Sequence, residues 1–343
     1  VDKRISRRLC LIPHVPGHAG PAAFQSRLAL GLERRGIEVT FDAAAQDLDA
    51  VLVNGGTRHL RRLRQLRARG LPVIQRLDGM NWIHRRRRTG AVHFLRAELN
   101  NLNLRLIRRR FSDGQVYQSQ FSQAWWLRVG GQIQKPAKVV YNGVPLDDYT
   151  PGSGTARTPD CIRLAVIEGR LAGGYEIGLE WALGLAAGLS RQAHKRVELL
   201  IAGMAQPEVI PKAPGDGVEV HWLGEVAPEA IPDLDRSADL LFAADLHPAC
   251  PNSVIEAMAC GLPVVSYDTG ALPEMVVGDA GRLAAYGSDS WRVEPPDAGS
   301  LLDAALEVLA EPDRFRKGAR RRAEEAFGLE RTVEGYLAAL GWA

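Results

Sequence analysis

The sequence predicts an α/β protein with two doubly wound, Rossmann-like parallel-sheet domains in series, and three observations predict it. Short apolar runs alternate with helix-period segments through the first half. A Gly-, Pro-, Ser-, Thr- and Asp-rich stretch, YNGVPLDDYTPGSGTARTPD (141–160), then breaks the alternation, and beyond it the alternation restarts. Strands that alternate with helices pair in parallel through right-handed crossovers, and ligands lie outside the carboxyl ends of such strands. A length of 343 residues suits two domains at roughly 150 residues each.

In chain order the expected strands of the first half are RLCLIP (8–13), IEVTF (37–41), AVLVN (50–54), PVIQR (72–76), GQVYQ (114–118) and KVVYN (138–142). Helical patterns fill 22–35, 58–69, 92–110 and 119–129. The second half repeats the scheme with IRLAVIE, VELLIAG, VEVHWLG, DLLFAA and PVVSY, and from about 297 the chain reads as helix. The expected domains are therefore 1–155 and 156–326, followed by a C-terminal segment at 327–343.

Composition narrows the class. Hydrophobic residues make up 46% and charged residues 24%, the balance of a globular protein with sizeable cores. No apolar run approaches the ~20 residues of a membrane span. The basic, briefly apolar start is cut by Pro13 and Pro16 and reads as a first strand. Cys10, Cys161, Cys250 and Cys260 lack ligand spacing and suit a reducing compartment, so the expected location is cytoplasmic. The net charge of +3 hides a split: residues 1–150 carry 26 Lys and Arg against 11 Asp and Glu, and 151–343 carry 17 against 29. The basic half is expected to face something anionic.

Three glycine-bearing stretches follow strands. In EGRLAGGYEIG, Gly173 and Gly174 precede a helix and let backbone approach a phosphate, with Arg170 as a clamp. In PHVPGHAGPAAF, Gly17 and Gly20 make a loop for phosphate or acceptor, without the spacing of a dinucleotide site. The third is PNSVIEAMACGLPVV, where Asn252 and Ser253 open a short helix and Gly261 and Pro263 end it. Glu256 lies in this helix among small and apolar residues, and a buried carboxylate needs donors. Adjacent hydroxyls of a ribose would supply them.

The run PNSVIEAMACGLPVVSYDTGALPEMV resembles the donor-site signature of retaining glycosyltransferases of family 4, which have the two-domain GT-B fold. GRL…GGYE, LLIAG, VHWLGEV, YNGV and QSQFS extend the resemblance over most of the chain, in the expected order. The resemblance implies two domains facing a cleft, with the acceptor on the first, a nucleotide sugar on the second, and the last helix crossing back to the first. It implies transfer with retention, no metal and no cofactor, with a UDP-, GDP- or ADP-linked sugar as substrate. Glu256 matches the ribose-binding Glu. Arg170, Gly173, Gly174, Gly203, Gly224, Asn252 and Ser253 complete the implied donor set.

Three departures stand out. Pro248 occupies the position of the first Glu of the family's Glu-x7-Glu pair, and Gly173 sits where a Lys is expected. In place of the family's His after the fourth strand the chain has RLDGMNWIH, where Asp78 or His84 would take the catalytic role. The readings that compete with transfer are a nucleotide-sugar epimerase and a non-catalytic protein that binds nucleotide sugars or anionic surfaces. Asp47–Asp49 and Asp233–Asp235 lie outside strand-end loops and read as structural, so no metal site is expected.

RHLRRLRQLRARG (58–70), HRRRRTG (84–90) and RLIRRRF (105–111) carry the basic charge. One reading packs the Leu stripe of 58–70 on the sheet with its Arg solvated. The other is peripheral contact with anionic lipid at the inner face of a membrane, or with a phosphorylated acceptor. Nucleic acid is disfavoured, because the runs lack aromatic interleaving and a binding signature.

Overall fold

The structure is a computed structural model that describes residues 7–17, 20–152, 160–205, 215 and 217–343. It divides into two compact units. The first comprises 1–82, 90–143 and 329–343, and the second comprises 83–89 and 144–328.

The first unit is built on β1 (Arg8–Ile12), α1 (Pro21–Glu33), β2 (Glu38–Thr40), β3 (Ala50–Asn54), α2 (Leu60–Ala68), β4 (Val73–Leu77), α3 (Ala91–Leu106), β5 (Gly114–Tyr117), α4 (Gln120–Gly130) and β6 (Ala137–Val139). All its strands are parallel, in the order β2-β1-β3-β4-β5-β6. β1 and β3 read as near-continuous apolar runs because helices cover both sheet faces, and β4 is buried throughout, Gln75 and Arg76 included. Leu63 and Leu66 of α2 are fully buried on one face. On the other face α1 packs Phe24, Leu28 and Leu32 against the C-terminal helix through Val333, Tyr336 and Leu337. Gly31 permits this approach, since a Cβ there would meet a Val333 methyl.

The second unit contains β7 (Cys161–Leu171), α5 (Ile177–Ala193), β8 (Arg196–Ala205), β9 (Val218–Gly224), α6 (Ile231–Ser237), β10 (Leu240–Phe242), α7 (Asn252–Ala259), β11 (Val264–Tyr267), α8 (Leu272–Met275), β12 (Gly281–Ala284), α9 (Ala298–Ala310) and α10 (Pro312–Ala326). Its strand order is β12-β11-β10-β7-β8-β9, again all parallel. The chain then enters α11 (Leu329–Leu340), which belongs to the first unit.

Residues 144–152, assigned by the sequence to the first domain, pack with the second unit. The guanidinium of Arg320 donates to the carbonyls of Tyr149 (2.6 Å), Ala259 (2.8 Å) and Leu146 (3.4 Å), and Arg236 donates to that of Thr150 at 3.1 Å. These side chains supply donors that a loop without regular structure would otherwise lack.

Both sheets reverse direction once. The order switches between β1 and β3 in the first unit and between β7 and β10 in the second. Crevices at such switch points, outside the carboxyl ends of strands, are where doubly wound sheets take ligands. The described part of the loop, PHVPG (13–17), follows β1, so it lies at the first switch point. The second holds the site described next.

Candidate functional site at the second switch point

The last residues of β7 are irregular, because its pairing with β8 shifts register between Ile167 and Arg170. Such a bulge re-aims side chains at the end of a strand. Gly203 of β8 makes room for it: a Cβ there would lie 2.2 Å from the carbonyl oxygen of Glu168. The predicted donor-site Gly203 thus backs the strand that carries Glu168. Gly224, also predicted for the donor, ends β9 with φ 66°.

Glu168 and, just beyond β10, Asp245 flank the switch point. Together with Leu171, Tyr175 and Ala244 they line a cavity of about 120 Å³, room for on the order of four waters or a small hydroxylated group. The backbone N–H groups of Ala244 and Asp245 favour the ionised form of Glu168, and that of Leu246 favours the ionised form of Asp245. Burial pushes both carboxyls well above the ordinary range, and the charge of Asp245 raises Glu168 further. The pair therefore holds on to a proton where isolated carboxyls are ionised. Asp245 Oδ1 is buried without a hydrogen-bond partner among the described residues. Such a pair presents both a donor and acceptors to a hydroxyl. Neither acid was singled out in the sequence. The available signal was that IRLAVIE and DLLFAAD each end an apolar strand run on an acid.

The next turn brings Gly173 and Gly174 with φ of 74° and 105°, a region that favours glycine. The N–H of Gly174, expected to meet phosphate, donates instead to the Glu176 carboxylate at 2.8 Å. An anion arriving here competes with that carboxylate. Glu176→Ala is accordingly expected to tighten binding of a nucleoside diphosphate by roughly threefold to tenfold, the worth of about one hydrogen bond. Isothermal titration with UDP, GDP and ADP reads this, and an unchanged or weaker affinity argues against competition. The side chain of Arg170 lies outside the described residues.

α7 begins at Asn252, with Pro251 extended at the N-cap position and no side-chain cap. Asn252 is thus the first helical residue and not the cap expected from the sequence. Proline at the cap has no hydroxyl or carboxamide to offer, so this N-terminus has no side-chain cap competing with an anion. Ser253 follows it, half-buried. From Val254 to Ala259 every residue is buried, including Glu256 at 8% exposure. Its neighbour on α6 is Asp235, which is fully buried. Burial first, then the charge of Glu256, pushes the Asp235 carboxyl far up, so Asp235 holds its proton.

Between β10 and α7 the chain passes through His247, in a left-handed conformation at φ 60° with its ring stacked on Trp291 at 3.8 Å. Pro248 stands where the family resemblance expects a carboxylate, and its carbonyl accepts the Ala271 N–H at 2.8 Å. Gly270 lets these segments meet: a Cβ on it would lie 2.6 Å from backbone atoms of His247 and Pro248.

The remaining candidates belong elsewhere. In the first unit, Gly17 and Gly20 face open space, and the loop between β1 and α1 is held by Gln25, which accepts the Val15 N–H and donates to the Pro13 carbonyl. Asp78 follows β4. Burial raises its carboxyl, with Arg76 pulling the other way, and its carbonyl accepts Ser122 Oγ and Trp126 Nε1. His84 is buried in the segment that joins the second unit. Of the basic runs, much is structural. Arg62 donates to Ala43, Arg67 to Asp113 and Arg69 to Gln46. Arg108 is wholly buried, bonded to the Tyr117 hydroxyl and to the carbonyls of Gly130 and Gly131.

Among the described residues, one group has the spacing of metal ligands: Glu198, Glu219 and His221 on β8 and β9. Arg163 already pairs with Glu198 at 2.7 Å and Arg196 lies 3.9 Å from Glu219. The two glutamates are near the amino ends of their strands, opposite to the end that carries the switch-point cavity.

Two six-stranded parallel sheets, each doubly wound, define the class as a GT-B fold, and comparison with known proteins agrees. Residues 163–311 match the family model for glycosyl transferases group 1. The chain is 28% identical over 144 residues to the GDP-mannose-dependent alpha-(1-6)-phosphatidylinositol dimannoside mannosyltransferase of Mycobacterium tuberculosis, which covers 42% of this chain and 35% of that protein. It is 30% identical over 218 residues to the D-inositol 3-phosphate glycosyltransferase of Mycolicibacterium smegmatis, 58% of this chain and 46% of the relative. The chain thus spans less than half the length of these relatives. Among solved structures, sucrose-phosphate synthase from Thermosynechococcus elongatus superposes with a TM-score of 0.69 at 15% identity, covering 97% of this chain and 98% of that one. Anabaena HepE in complex with UDP and glucose gives 0.66 at 16% identity, covering 98% and 100%. At such identities the likeness is one of fold. The glycosyltransferase resemblance read from 250–276 is borne out by the family match and the curated relatives.

Proposed function

We propose that the chain transfers a sugar from a nucleotide-sugar donor to an acceptor, with retention and without a metal. The observation that carries this reading is the second switch point. An uncapped helix N-terminus, a buried carboxylate on the same helix and a proton-sharing acid pair serve the three chemically distinct parts of such a donor. The N-terminus of α7 receives the diphosphate through its first-turn N–H groups and the helix dipole. Glu256 accepts hydrogen bonds from the ribose hydroxyls, and Arg170 adds charge to the diphosphate. Glu168 and Asp245 take hydroxyls of the transferred sugar, supplying carboxyl contacts where Pro248 has none. The reaction then proceeds by holding a leaving diphosphate as positive charge develops on the sugar. Asp78 and His84 are proposed to act near that carbon, and the Gly17–Gly20 loop to contact the acceptor. The base is drawn from those of the UDP in the HepE complex and of the GDP-mannose on which the mannosyltransferase depends.

Pro248 favours a second reading, in which the site binds a nucleotide sugar without turnover. Donor hydrolysis separates the two: release of labelled sugar supports a transferase, and tight binding without release supports a binder. The site itself is tested by thermal-shift titration with UDP, GDP, ADP and their sugars on the wild type, Glu256→Ala and Glu256→Gln. A ligand at 100 Kd stabilises by about 2.7 kcal/mol. One nucleotide is expected to produce this shift and both variants to lose most of it. Absence of a shift with every nucleotide refutes the assignment.

A further inference from the structure

Helix α3 has two apolar faces. Ala97, Asn101 and Leu104 are buried against the first unit, and Ile107 and Arg108 continue that face into the wide turn that follows. Val92, Leu95, Leu99 and Leu102 are each more than half exposed, and Leu106 is exposed at 39%. At 100° per residue, positions 92, 95, 99, 102 and 106 fall within about 80° of arc, centred opposite the buried face. An unbroken outward stripe of five aliphatic side chains is not the scatter of single apolar residues that ordinary surfaces carry.

The flanks identify what covers it. Arg96 on one side of the stripe and Arg109 and Arg110 beyond its end are exposed, and Phe94 adds a half-exposed ring. Between 91 and 111 the chain has five arginines and one acid, Glu98. Apolar outer face, basic margins and an aromatic residue at the edge form the pattern of a helix lying in the headgroup region of an anionic bilayer. A second copy of the helix suits the stripe less well. In a parallel pair with Val92 and Leu99 at the a positions, the positions beside the seam are Arg96, Glu98, Asn103 and Arg105, so Glu98 would face Asn103 and gain no interhelical ion pair. No described helix is long and apolar enough to cross a membrane, so the contact is one of lying on the surface.

We propose that α3 docks this protein on an anionic lipid surface, with Val92, Leu95, Leu99, Leu102 and Leu106 entering the interface and Arg96, Arg109 and Arg110 meeting lipid phosphates. The source of the phosphate is the bilayer and not a soluble ligand, because the apolar stripe needs a hydrocarbon partner. The inference does not depend on the proposed glycosyl transfer.

The full chain is tested by co-sedimentation with vesicles of phosphatidylcholine alone and with 30% phosphatidylglycerol, as an order-of-magnitude choice of anionic content, at low and high salt. Wild type is expected to pellet with the anionic vesicles and to be weakened by salt, since each Arg near the surface contributes about 1 kcal/mol. Leu95→Glu/Leu99→Glu/Leu102→Glu is expected to lose at least tenfold in partitioning while melting like wild type, because these side chains touch solvent. Arg96→Ala/Arg109→Ala/Arg110→Ala should lose the anionic preference and its salt dependence. Wild-type protein that stays in the supernatant at low salt overturns the proposal. So does a leucine variant that still pellets, or a concentration-dependent dimer in sedimentation velocity that the leucine variant abolishes with no vesicle binding in either protein.

Discussion

Gly178→Ala is expected to cost about 3 kcal/mol or more. A Cβ on Gly178 would lie 2.2 Å from the carbonyl oxygen and 2.7 Å from the Cβ of Ala244. Both obstacles belong to the backbone or its first side-chain atom, so no rotamer change relieves them. The first turn of α5 has to lift from the end of β10. Overpacking of this kind costs roughly 1–3 kcal/mol where side chains can yield and more where backbone must move. For a unit of this size that is a fall of roughly 6–12 °C in the melting temperature of the second unit. The same lift widens the cavity between Glu168 and Asp245, so the proposed sugar contacts should loosen with the fold. Gly184, on the same helix, has nothing within 4 Å of its virtual Cβ. Gly184→Ala should therefore gain up to about 1 kcal/mol of helix propensity. Differential scanning calorimetry of the two variants reads the contrast. Equal melting temperatures would mean that α5 does not need to approach β10 this closely.

That contrast shows what could be read without coordinates. The alternation of strands and helices was legible because both sheets are buried on two faces, so strand segments such as AVLV and LLIAG are apolar throughout. The α7 segment was legible because a carboxylate inside an apolar helix needs a reason. What escaped depends on proximity between strands distant in sequence. Gly178 looked like one more glycine after GGYEI, and only the β7–β10 adjacency gives Ala244 to it as a neighbour. Glu168 and Asp245 each read as the polar end of a strand, and their meeting follows from the same reversal of strand order. β12, only four residues of GRLA with two of them half-buried, carries too little periodicity to stand out. The apolar 92–106 stripe was visible as helix, but a helix with two apolar faces and a helix with one wide face look alike until the buried side is known.

The acid pair carries the second large effect, a dependence of stability on pH. Glu168 and Asp245 have native pKa values raised above those of the unfolded chain. In the window from the ordinary carboxylate range up to the raised values, the native state keeps protons that the unfolded state has lost. Stability therefore falls as pH rises through that window, by at most about 1.4 kcal/mol per pH unit for each retained proton. Asp235 contributes with the same sign, so a single substitution lowers the slope without removing it. Glu168→Gln keeps an oxygen for the Ala244 and Asp245 N–H groups and turns an amide toward Asp245, which can then ionise beside a donor. At pH 8 the variant is expected to exceed wild type by about 1–2 kcal/mol, the relief of one unfavourable buried charge, and at pH 4 the difference should vanish. Urea midpoints measured from pH 4 to 8.5 give both profiles, and parallel curves would show that the two carboxyls do not share a proton. A sugar hydroxyl bridging the pair would supply the missing hydrogen bonds to its ionised form. Saturating donor should then flatten the wild-type profile toward that of Glu168→Gln, whereas a nucleoside diphosphate lacking the sugar should raise the curve without changing its slope.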